Sequence, residues 1–284
     1  MKIMVYEARP DERADLEKQA ALHGVELSVT DAVPTLENAS LAAGCIGVSI
    51  LGQGCIDAAL LDAYHALGIR YLSTRTIGYD HIDLDHARSI GLRVCSASYA
   101  PNGVADFTVM MILMCLRHYK QALWRGQVND FSLTGLQGRE MKDLTIGIIG
   151  TGRIGAQVVR NLSGFGCRIL AYDLRRNPAV EPQVTYVDFD TLLAQSDVIT
   201  LHMPLLDSNR HIINRESVAK MRDGVVIVNC SRGELADIEA LIEGIETGKI
   251  GALGMDTVEG DEGIIHVEVF NWFKPLSCLL SSSG

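Results

Sequence analysis

The stretch that decides the fold reads Asp143-Leu-Thr-Ile-Gly-Ile-Ile-Gly-Thr-Gly-Arg-Ile-Gly-Ala-Gln-Val-Val-Arg160, followed by Cys167-Arg-Ile-Leu-Ala-Tyr-Asp173. Its apolar run 145–149 predicts a buried strand that leads into the turn Gly150-x-Gly152-x-x-Gly155 and then into a helix. The second segment predicts another apolar strand that ends in an acid. Strand, glycine turn, helix and strand in this order indicate a βαβ unit.

The three glycines of this turn each have a separate physical role. Gly150 permits the tight turn, Gly152 lets the backbone approach a pyrophosphate, and Gly155 lets the helix pack close to the strand. The first amides of the helix point at the phosphates, where the helix dipole favours negative charge. Asp173 lies 18 residues after Gly155, about where a carboxylate binds the ribose hydroxyls of NAD. The pattern predicts dinucleotide binding; a structural βαβ turn with an incidental Asp is the alternative.

Composition excludes several classes of protein. The chain has 284 residues, 48% of them hydrophobic, and a net charge of −10, which predicts a globular protein with neither nucleic acid nor membrane as a partner. Its seven cysteines form no C-x-x-C pair, so we expect no disulfide framework and no metal site. An N-terminus that resembles a strand rather than a signal peptide favours a cytoplasmic location. The apolar run 107–116 is too short to span a bilayer.

Two series of alternating strands and helices predict an α/β protein of two doubly wound, parallel-sheet, Rossmann-like domains with a cleft between them. The first domain is expected at 1–100, the second at 101–270, and an atypical tail at 271–284. Predicted strands are 2–7, 25–29, 45–50, 71–73 and 92–95, then 145–149, 167–173, 184–187, 198–202, 225–229 and 251–255. Predicted helices are 11–23, 55–67 and a long helix 104–125 capped by Asn102.

Several loops that follow these strands carry a distinctive combination of motifs. They are Ser73-Thr-Arg-Thr-Ile-Gly-Tyr-Asp-His-Ile-Asp83, Tyr99-x-Pro-Asn-x-Val-Ala-Asp106, the glycine turn, Thr200-Leu-His-Met-Pro204, Ser231-Arg-Gly233 and Met255-Asp256. Together they resemble the D-isomer-specific 2-hydroxyacid dehydrogenases, and within that family the D-lactate dehydrogenases, including those of glycopeptide-resistance operons. The resemblance runs from Met1 to about Glu262. It implies a flavodoxin-like first domain that lacks its usual C-terminal helix, and an NAD-binding second domain.

The resemblance also implies roles in substrate binding. Reduction of a 2-keto acid needs a hydride at the carbonyl carbon and a proton at the oxygen, where a fixed cation stabilises developing charge. Arg232 would grip the substrate carboxylate and polarise its carbonyl. Backbone amides at Ile77 and Gly78 would hold the other carboxylate oxygen, unless this is only a glycine turn. Tyr99 would line the pocket or be a core tyrosine at a hinge.

Cofactor contacts are implied in the same way. Asp173 favours NAD over NADP because its charge would repel a 2′-phosphate, although Arg175 and Arg176 can accept one. Asp256 matches an aspartate near the nicotinamide amide, and His202 either contacts the cofactor or is a satisfied loop histidine. The expected cofactor-binding residues are Val104, Gly150, Gly152, Arg153, Ile154, Gly155, Asp173, His202, Met203, Pro204, Cys230, Ser231 and Asp256.

Two departures from the family concern its carboxylate–histidine pair, in which the acid holds the imidazole protonated and the imidazolium protonates the carbonyl oxygen. Where the family carries Glu, five residues after Asp256, this chain has Asp261, flanked by Glu259 and Glu262. We expect Asp261, or Glu259 or Glu262, to be the catalytic acid. The family's histidine stands in a Pro-His turn, and this sequence has no Pro-His pair. We therefore expect a truncated or divergent C-terminus and a missing proton donor, a loss that typically costs about 10² to 10⁴ in rate.

These features predict an NAD-dependent D-2-hydroxyacid dehydrogenase that converts pyruvate and NADH to D-lactate and NAD, with activity lowered by the missing histidine. A catalytically dead NAD(H)-binding sensor or corepressor-like module is the alternative. A sister enzyme acting on glycerate, phosphoglycerate or a branched keto acid is a third hypothesis. The apolar helix 104–116 would suit a homodimer formed by the cofactor domains.

Overall fold

The computed structural model describes residues 1–260 and 279–280. Contacts between Cα atoms divide the chain into two compact units, Met1–Tyr99 and Ala100–Gly284. The predicted α/β class is confirmed, because each unit contains a largely parallel sheet whose strands are connected by helices. Among the described residues, no helix is both long and apolar enough to cross a membrane.

The first unit is a five-stranded parallel sheet of order β2-β1-β3-β4-β5, the order found in flavodoxin-like folds. Its strands are β1 (Lys2–Val5), β2 (Glu26–Val29), β3 (Gly47–Ile50), β4 (Tyr71–Thr74) and β5 (Arg93–Ser96), and its helices are α1 (Arg13–His23), α2 (Ala58–Ala66) and α3 (Leu84–Ser89). The core contains fully buried aromatic and branched side chains, among them Tyr6, Ile50, Tyr64 and Leu72. Because β1, β3 and β4 are adjacent parallel strands, their carboxyl ends lie side by side at one edge of the sheet.

The second unit has the strand order of a dinucleotide-binding sheet. Its strands are β6 (Thr145–Ile149), β7 (Arg168–Tyr172), β8 (Thr185–Tyr186), β9 (Val198–Leu201), β10 (Val225–Asn229), β11 (Ile250–Met255) and β12 (Leu279–Leu280). Its helices are α4 (Asn102–Leu116), α5 (Tyr119–Gln127), α6 (Arg153–Ser163), α7 (Phe189–Gln195), α8 (Arg215–Lys220) and α9 (Ile238–Glu246). The order β11-β10-β9-β6-β7-β8 is that of the Rossmann fold, with antiparallel β12 at the β11 edge.

The prediction of a single helix at 104–125 is wrong, because the structure has two helices there, α4 and α5. His118 between them has a φ of 49°, in the left-handed region, and this interrupts the helical hydrogen bonds. The break coincides with the end of the apolar run: seven residues of α4 are buried, and none of α5 is. Asn102 is not the cap either, since it is the first residue of α4 and Pro101 precedes it without a side-chain hydrogen bond.

Most of the other predicted elements exist but differ at their ends, for local reasons. The strand predicted at 2–7 ends at Val5, and Glu7 has a φ of 54°, which no strand accommodates. The helix predicted from residue 55 begins at Ala58, because the Asp57 side chain caps it by accepting the Leu60 N–H at 2.9 Å. The strands predicted at 145–149 and 225–229 are observed with those bounds, and every residue in both is buried.

Candidate active site

The glycine turn between β6 and α6 has the geometry that its sequence predicts. Gly150 has a φ of 94°, and a Cβ there would lie 2.7 Å from the carbonyl oxygen of His202. A Cβ on Gly155 would collide with the carbonyl oxygen of Gly150. A Cβ on Gly152, by contrast, would meet nothing within 4 Å. The backbone is thus open at Gly152, where α6 begins, and this fits a pyrophosphate approaching the helix N-terminus.

Asp173 lies directly after β7 and faces this turn. Its Oδ2 accepts hydrogen bonds from the Thr151 backbone N–H (2.6 Å) and the Thr151 hydroxyl (3.0 Å). The Tyr186 hydroxyl donates to the Thr151 hydroxyl at 2.9 Å, and the Asn177 amide donates to the Thr151 carbonyl at 2.7 Å. Sequence reasoning found Asp173 from its spacing but missed Thr151, Asn177 and Tyr186, whose roles depend on contacts 9 to 35 residues apart.

The two arginines that follow Asp173 contact this network in different ways. The guanidinium of Arg176 stacks on the ring of Tyr186, 5.5 Å from its centroid, and lies 4.0 Å from the Glu181 carboxylate. Arg175 contributes its backbone N–H to Asp173 Oδ1 at 2.9 Å. The side chain of Arg176 is therefore already occupied by a ring and a carboxylate.

His202 follows β9 and packs beneath the glycine turn. Its Nε2 lies 3.0 Å from the hydroxyl of Thr200. Burial lowers the pKa of His202 to about 3, so the imidazole is neutral at ordinary pH. Its Nδ1 is buried and has no hydrogen-bond partner among the described residues. A buried nitrogen without a hydrogen-bond partner fits a site in which a bound ligand supplies that partner.

Arg232 stands after β10 in a loop that is fixed on both sides. Fully buried Asn229 accepts the Ser231 N–H at 3.0 Å and donates to the Arg232 carbonyl at 2.7 Å. The Ser231 hydroxyl donates to the carbonyl of Leu201, the last residue of β9, at 2.7 Å. Gly233 is needed here because a Cβ would collide with the backbone of 258–259. The loop that carries Arg232 is thus attached to the strand end beside the glycine turn.

The acidic loop after β11 holds a carboxylate–histidine contact that sequence reasoning did not find. Glu259 Oε2 lies 2.7 Å from Nε2 of His211, and its Oε1 accepts a hydrogen bond from Arg210 at 2.5 Å. The backbone N–H of Asp256 donates to the Asn229 carbonyl at 2.9 Å. Asp261, the predicted catalytic acid, lies outside the described residues.

Of the predicted substrate residues in the first unit, Ile77 and Gly78 follow β4, and Tyr99 is the last residue of the unit. The Thr76 hydroxyl donates to the Gly78 carbonyl at 2.7 Å and fixes the turn that contains Ile77. Tyr99 is 48% exposed, so it is not a core residue of its unit. In the second unit, Val104 is half-buried and packs against the core beneath α4.

The remaining cofactor candidates lie after β9, after β10 and in the first turn of α6. Arg153 and Ile154 form the first turn of α6, Met203 and Pro204 follow His202, and Cys230 directly precedes Ser231. Cys230 is buried, and Met203 packs against the core on its side of the sheet. The structure therefore brings the candidates that follow β6, β7, β9, β10 and β11 to the carboxyl edge of one sheet, where parallel sheets bind ligands.

A family profile described as "D-isomer specific 2-hydroxyacid dehydrogenase, NAD binding domain" matches residues 109–271. The chain belongs to this family. The match confirms the resemblance, and NAD is the cofactor of this dehydrogenase. Its fold and its class, an NAD-dependent oxidoreductase acting on D-2-hydroxy acids, are those the motifs predicted.

Individual relatives agree with this assignment. The dehydrogenase is 42% identical over 275 residues to an aromatic 2-oxoacid reductase of Clostridium sporogenes, covering 95% of this chain and 82% of that protein. It resembles the apo-structure of D-lactate dehydrogenase from Escherichia coli with a TM-score of 0.84 and 38% identity, over 93% of this chain and 84% of that one. An NAD-complexed D-isomer-specific 2-hydroxyacid dehydrogenase from Lactobacillus delbrueckii matches with a TM-score of 0.78 and 31% identity, over 95% and 83% of the two chains.

Proposed function

We propose that this dehydrogenase reduces pyruvate to D-lactate with NADH. The observation that carries the proposal is the attachment of the Arg232 loop to the cofactor edge. Ser231 is bonded to the end of β9, and His202, the next residue after β9, packs against Gly150. A guanidinium is thereby held on the same sheet edge as the glycine turn. A fixed cation at that place suits a reaction in which a carbonyl oxygen gains negative charge.

Each residue of the site has a role in this proposal. The glycine turn and the first amides of α6 hold the pyrophosphate, while Asp173 accepts the ribose hydroxyls. Bound NADH supplies the hydride. The nicotinamide half of the cofactor is proposed to contact Val104, His202, Met203, Pro204, Cys230, Ser231 and Asp256. Arg232 grips the substrate carboxylate with its planar fork and polarises the carbonyl.

Substrate contacts in the first unit are proposed at Ile77 and Gly78, whose backbone N–H groups would donate hydrogen bonds to a carboxylate oxygen, and at Tyr99. Asp261 is proposed as the acid of the proton-transfer pair. Both oxygens of Glu259 are already engaged by His211 and Arg210, so we assign Glu259 to holding its loop rather than to proton transfer. That loop borders Gly233, next to Arg232.

We further propose that the protein is a cytoplasmic homodimer. The six described cysteines are all free thiols, which suits a reducing compartment. Exposed apolar side chains are concentrated in and just after α5, where Trp124, Phe131 and Leu133 are 70%, 79% and 83% exposed. Such a patch favours association with a second copy. We therefore propose that the contact involves 119–133 rather than α4, because most of the apolar side chains of α4 are buried.

The proposed function is tested by following NADH absorbance after adding pyruvate or phenylpyruvate to the purified chain, with NADH binding measured separately by fluorescence. We expect NADH binding, and turnover with a higher kcat/KM for pyruvate. A higher kcat/KM for phenylpyruvate would instead indicate that the substrates are aromatic 2-oxoacids, the class in the name of the Clostridium relative. NADH binding without turnover of any keto acid would support the alternative, an NAD(H)-binding sensor. Failure to bind NADH would contradict both.

A further inference from the structure

Glu7 is a buried carboxylate at the carboxyl edge of the first unit's sheet, and only 3% of the residue is exposed. It follows β1, the neighbour of β3. Its Oε2 accepts the backbone N–H groups of Leu51 and Gly52, the latter at 2.9 Å, and its Oε1 accepts that of Gln53 at 2.8 Å. Three consecutive amides of the loop after β3 therefore converge on one side chain. A buried acid is stable in this setting because each oxygen receives N–H donors.

The backbone of Glu7 is held as tightly as its side chain. Its φ of 54° is unusual for a residue with a Cβ. The Arg75 guanidinium donates to the carbonyl of Glu7 at 3.0 Å and to that of Tyr6 at 3.0 Å, and it also reaches Ser49 on β3 at 3.1 Å. Arg75 directly follows β4. One arginine thus joins the ends of three neighbouring strands and fixes the conformation from which the Glu7 carboxylate points at the loop.

The loop 51–54 also lies against the segment after β4. Gly52 has a φ of 96°, and a Cβ there would be 3.0 Å from the His81 ring. His81 stands three residues after Gly78, whose amide is proposed above to hold the substrate carboxylate. The loop after β3 therefore lies against the segment that carries the proposed carboxylate site.

We propose that Glu7 is a positioning residue for substrate recognition, which holds the loop 51–54 in the conformation that bounds the keto acid's side chain. The inference rests on the proposed function. Glu7 does not touch the reacting atoms; it acts through the three amides. A displacement of this loop by about 1 Å should weaken substrate binding more than it lowers the stability of the fold. Binding at a site depends on exact geometry, whereas packing at an exposed edge tolerates such a shift.

The test uses Glu7→Gln and Glu7→Ala in the full chain. A Gln side chain keeps the size but has one carbonyl oxygen and an NH₂ group, so at least one of the three N–H donors faces a donor instead of an acceptor. We expect KM for pyruvate to rise about tenfold in Glu7→Gln, with kcat changed by less than about threefold and KM for NADH unchanged. The ratio of kcat/KM for phenylpyruvate to that for pyruvate should also change. Glu26→Gln, at an exposed carboxylate of β2 paired with Lys2, is the matched control.

Hydrogen exchange supplies a readout that does not depend on turnover. In the wild type the amides of Leu51, Gly52 and Gln53 should be protected, and in Glu7→Gln they should exchange about tenfold faster while the amides of β3 stay protected. Unchanged exchange and an unchanged KM in Glu7→Gln would overturn the proposal, even if Glu7→Ala fails to fold. A wild type that turns over no keto acid would contradict the proposed function, and the substrate role of Glu7 would fall with it. Normal turnover with an unaffected Glu7→Gln would remove the positioning role alone.

Discussion

Asp173 and Thr151 are joined by two hydrogen bonds to one carboxylate oxygen, at 2.6 Å from the backbone N–H and 3.0 Å from the hydroxyl. The pair connects the end of β7 to the glycine turn, so that the position of the charge is fixed relative to the backbone of that turn. The guanidinium of Arg176 stacks on Tyr186, and Asp173 offers an acceptor for ribose hydroxyls.

The first prediction concerns cofactor selectivity. In Asp173→Ala, loss of the repulsive charge should raise kcat/KM for NADPH relative to NADH by about 10². NADH use should fall because the ribose hydroxyls lose their acceptor. The measurement is the initial rate with each nucleotide at saturating pyruvate, with Asp11→Asn, an exposed acid paired with Arg9, as the control. An unchanged ratio of the two nucleotides would contradict the assignment of Asp173.

The second prediction concerns the substrate cation. Arg232→Lys keeps a positive charge but replaces a planar fork with a point charge, so it should lower kcat/KM for pyruvate by about 10². NADH affinity, measured by fluorescence titration, should stay within about twofold because the cofactor is held mainly by other groups. Arg88→Lys, in an exposed pair on α3, should behave as wild type. Equal losses in the two variants, or none in either, would show that Arg232 does not bind the substrate.

The third prediction concerns His202 and pH. The folded pKa of about 3 lies below the unfolded value of about 6.5, so in this interval the unfolded chain binds a proton that the folded chain does not. The contribution of His202 to stability is therefore present above pH 6.5 and is lost as the pH falls towards 3, by up to about 1.4 kcal/mol per pH unit. Replacing His202 with Asn should make the free energy of unfolding less dependent on pH between 4.5 and about 6.5.

Urea unfolding of the wild type, His202→Asn and His23→Asn at several pH values checks this prediction. His23 is exposed at the end of α1, so its replacement should leave the slope unchanged. Parallel pH dependences for all three proteins would show that the His202 ring is not buried in its neutral form.

The fourth prediction concerns association. Trp124→Glu combined with Phe131→Glu should convert a dimer into a monomer of unchanged secondary structure, because charges at the centre of an apolar contact oppose its burial. Leu174→Glu changes a leucine that is 87% exposed elsewhere in the same unit and should remain dimeric. Sedimentation equilibrium distinguishes the two states. A wild type that is monomeric, or a double variant that stays dimeric, would contradict the proposed surface.

Much of the cofactor site could be predicted because its signals are local. A strand buried on both faces is a continuous apolar run, and the three glycines stand at a fixed spacing within one turn, where a Cβ on Gly155 would collide with Gly150. The acid at the end of the next strand has a fixed distance along a βαβ unit. Asp173 was therefore predicted from its spacing, and Arg232 from a strand-end Ser-Arg-Gly motif that resembles the family's.

Contacts between distant parts of the chain were not predictable in the same way. Glu259 meets His211 across 48 residues, and Glu7 meets the loop 51–53 across 44 to 46 residues. Neither pair leaves a periodic pattern. The break of the predicted helix at His118 had no glycine or proline to signal it, since the end of burial rather than a breaker residue ended α4.

The sequence by itself determined that this chain forms two series of parallel strands, that its second series contains the strand, glycine turn and helix typical of dinucleotide-binding units, and that Asp173 and Arg232 stand at strand ends. Local sterics and apolar periodicity are sufficient for these conclusions. Only the tertiary structure decided which polar groups meet at those ends, because strand order places β1 beside β3 and β9 beside β10. The partners of Glu7, Asp173 and Ser231 follow from that order, since buried polar groups are stable only where folding supplies their hydrogen bonds.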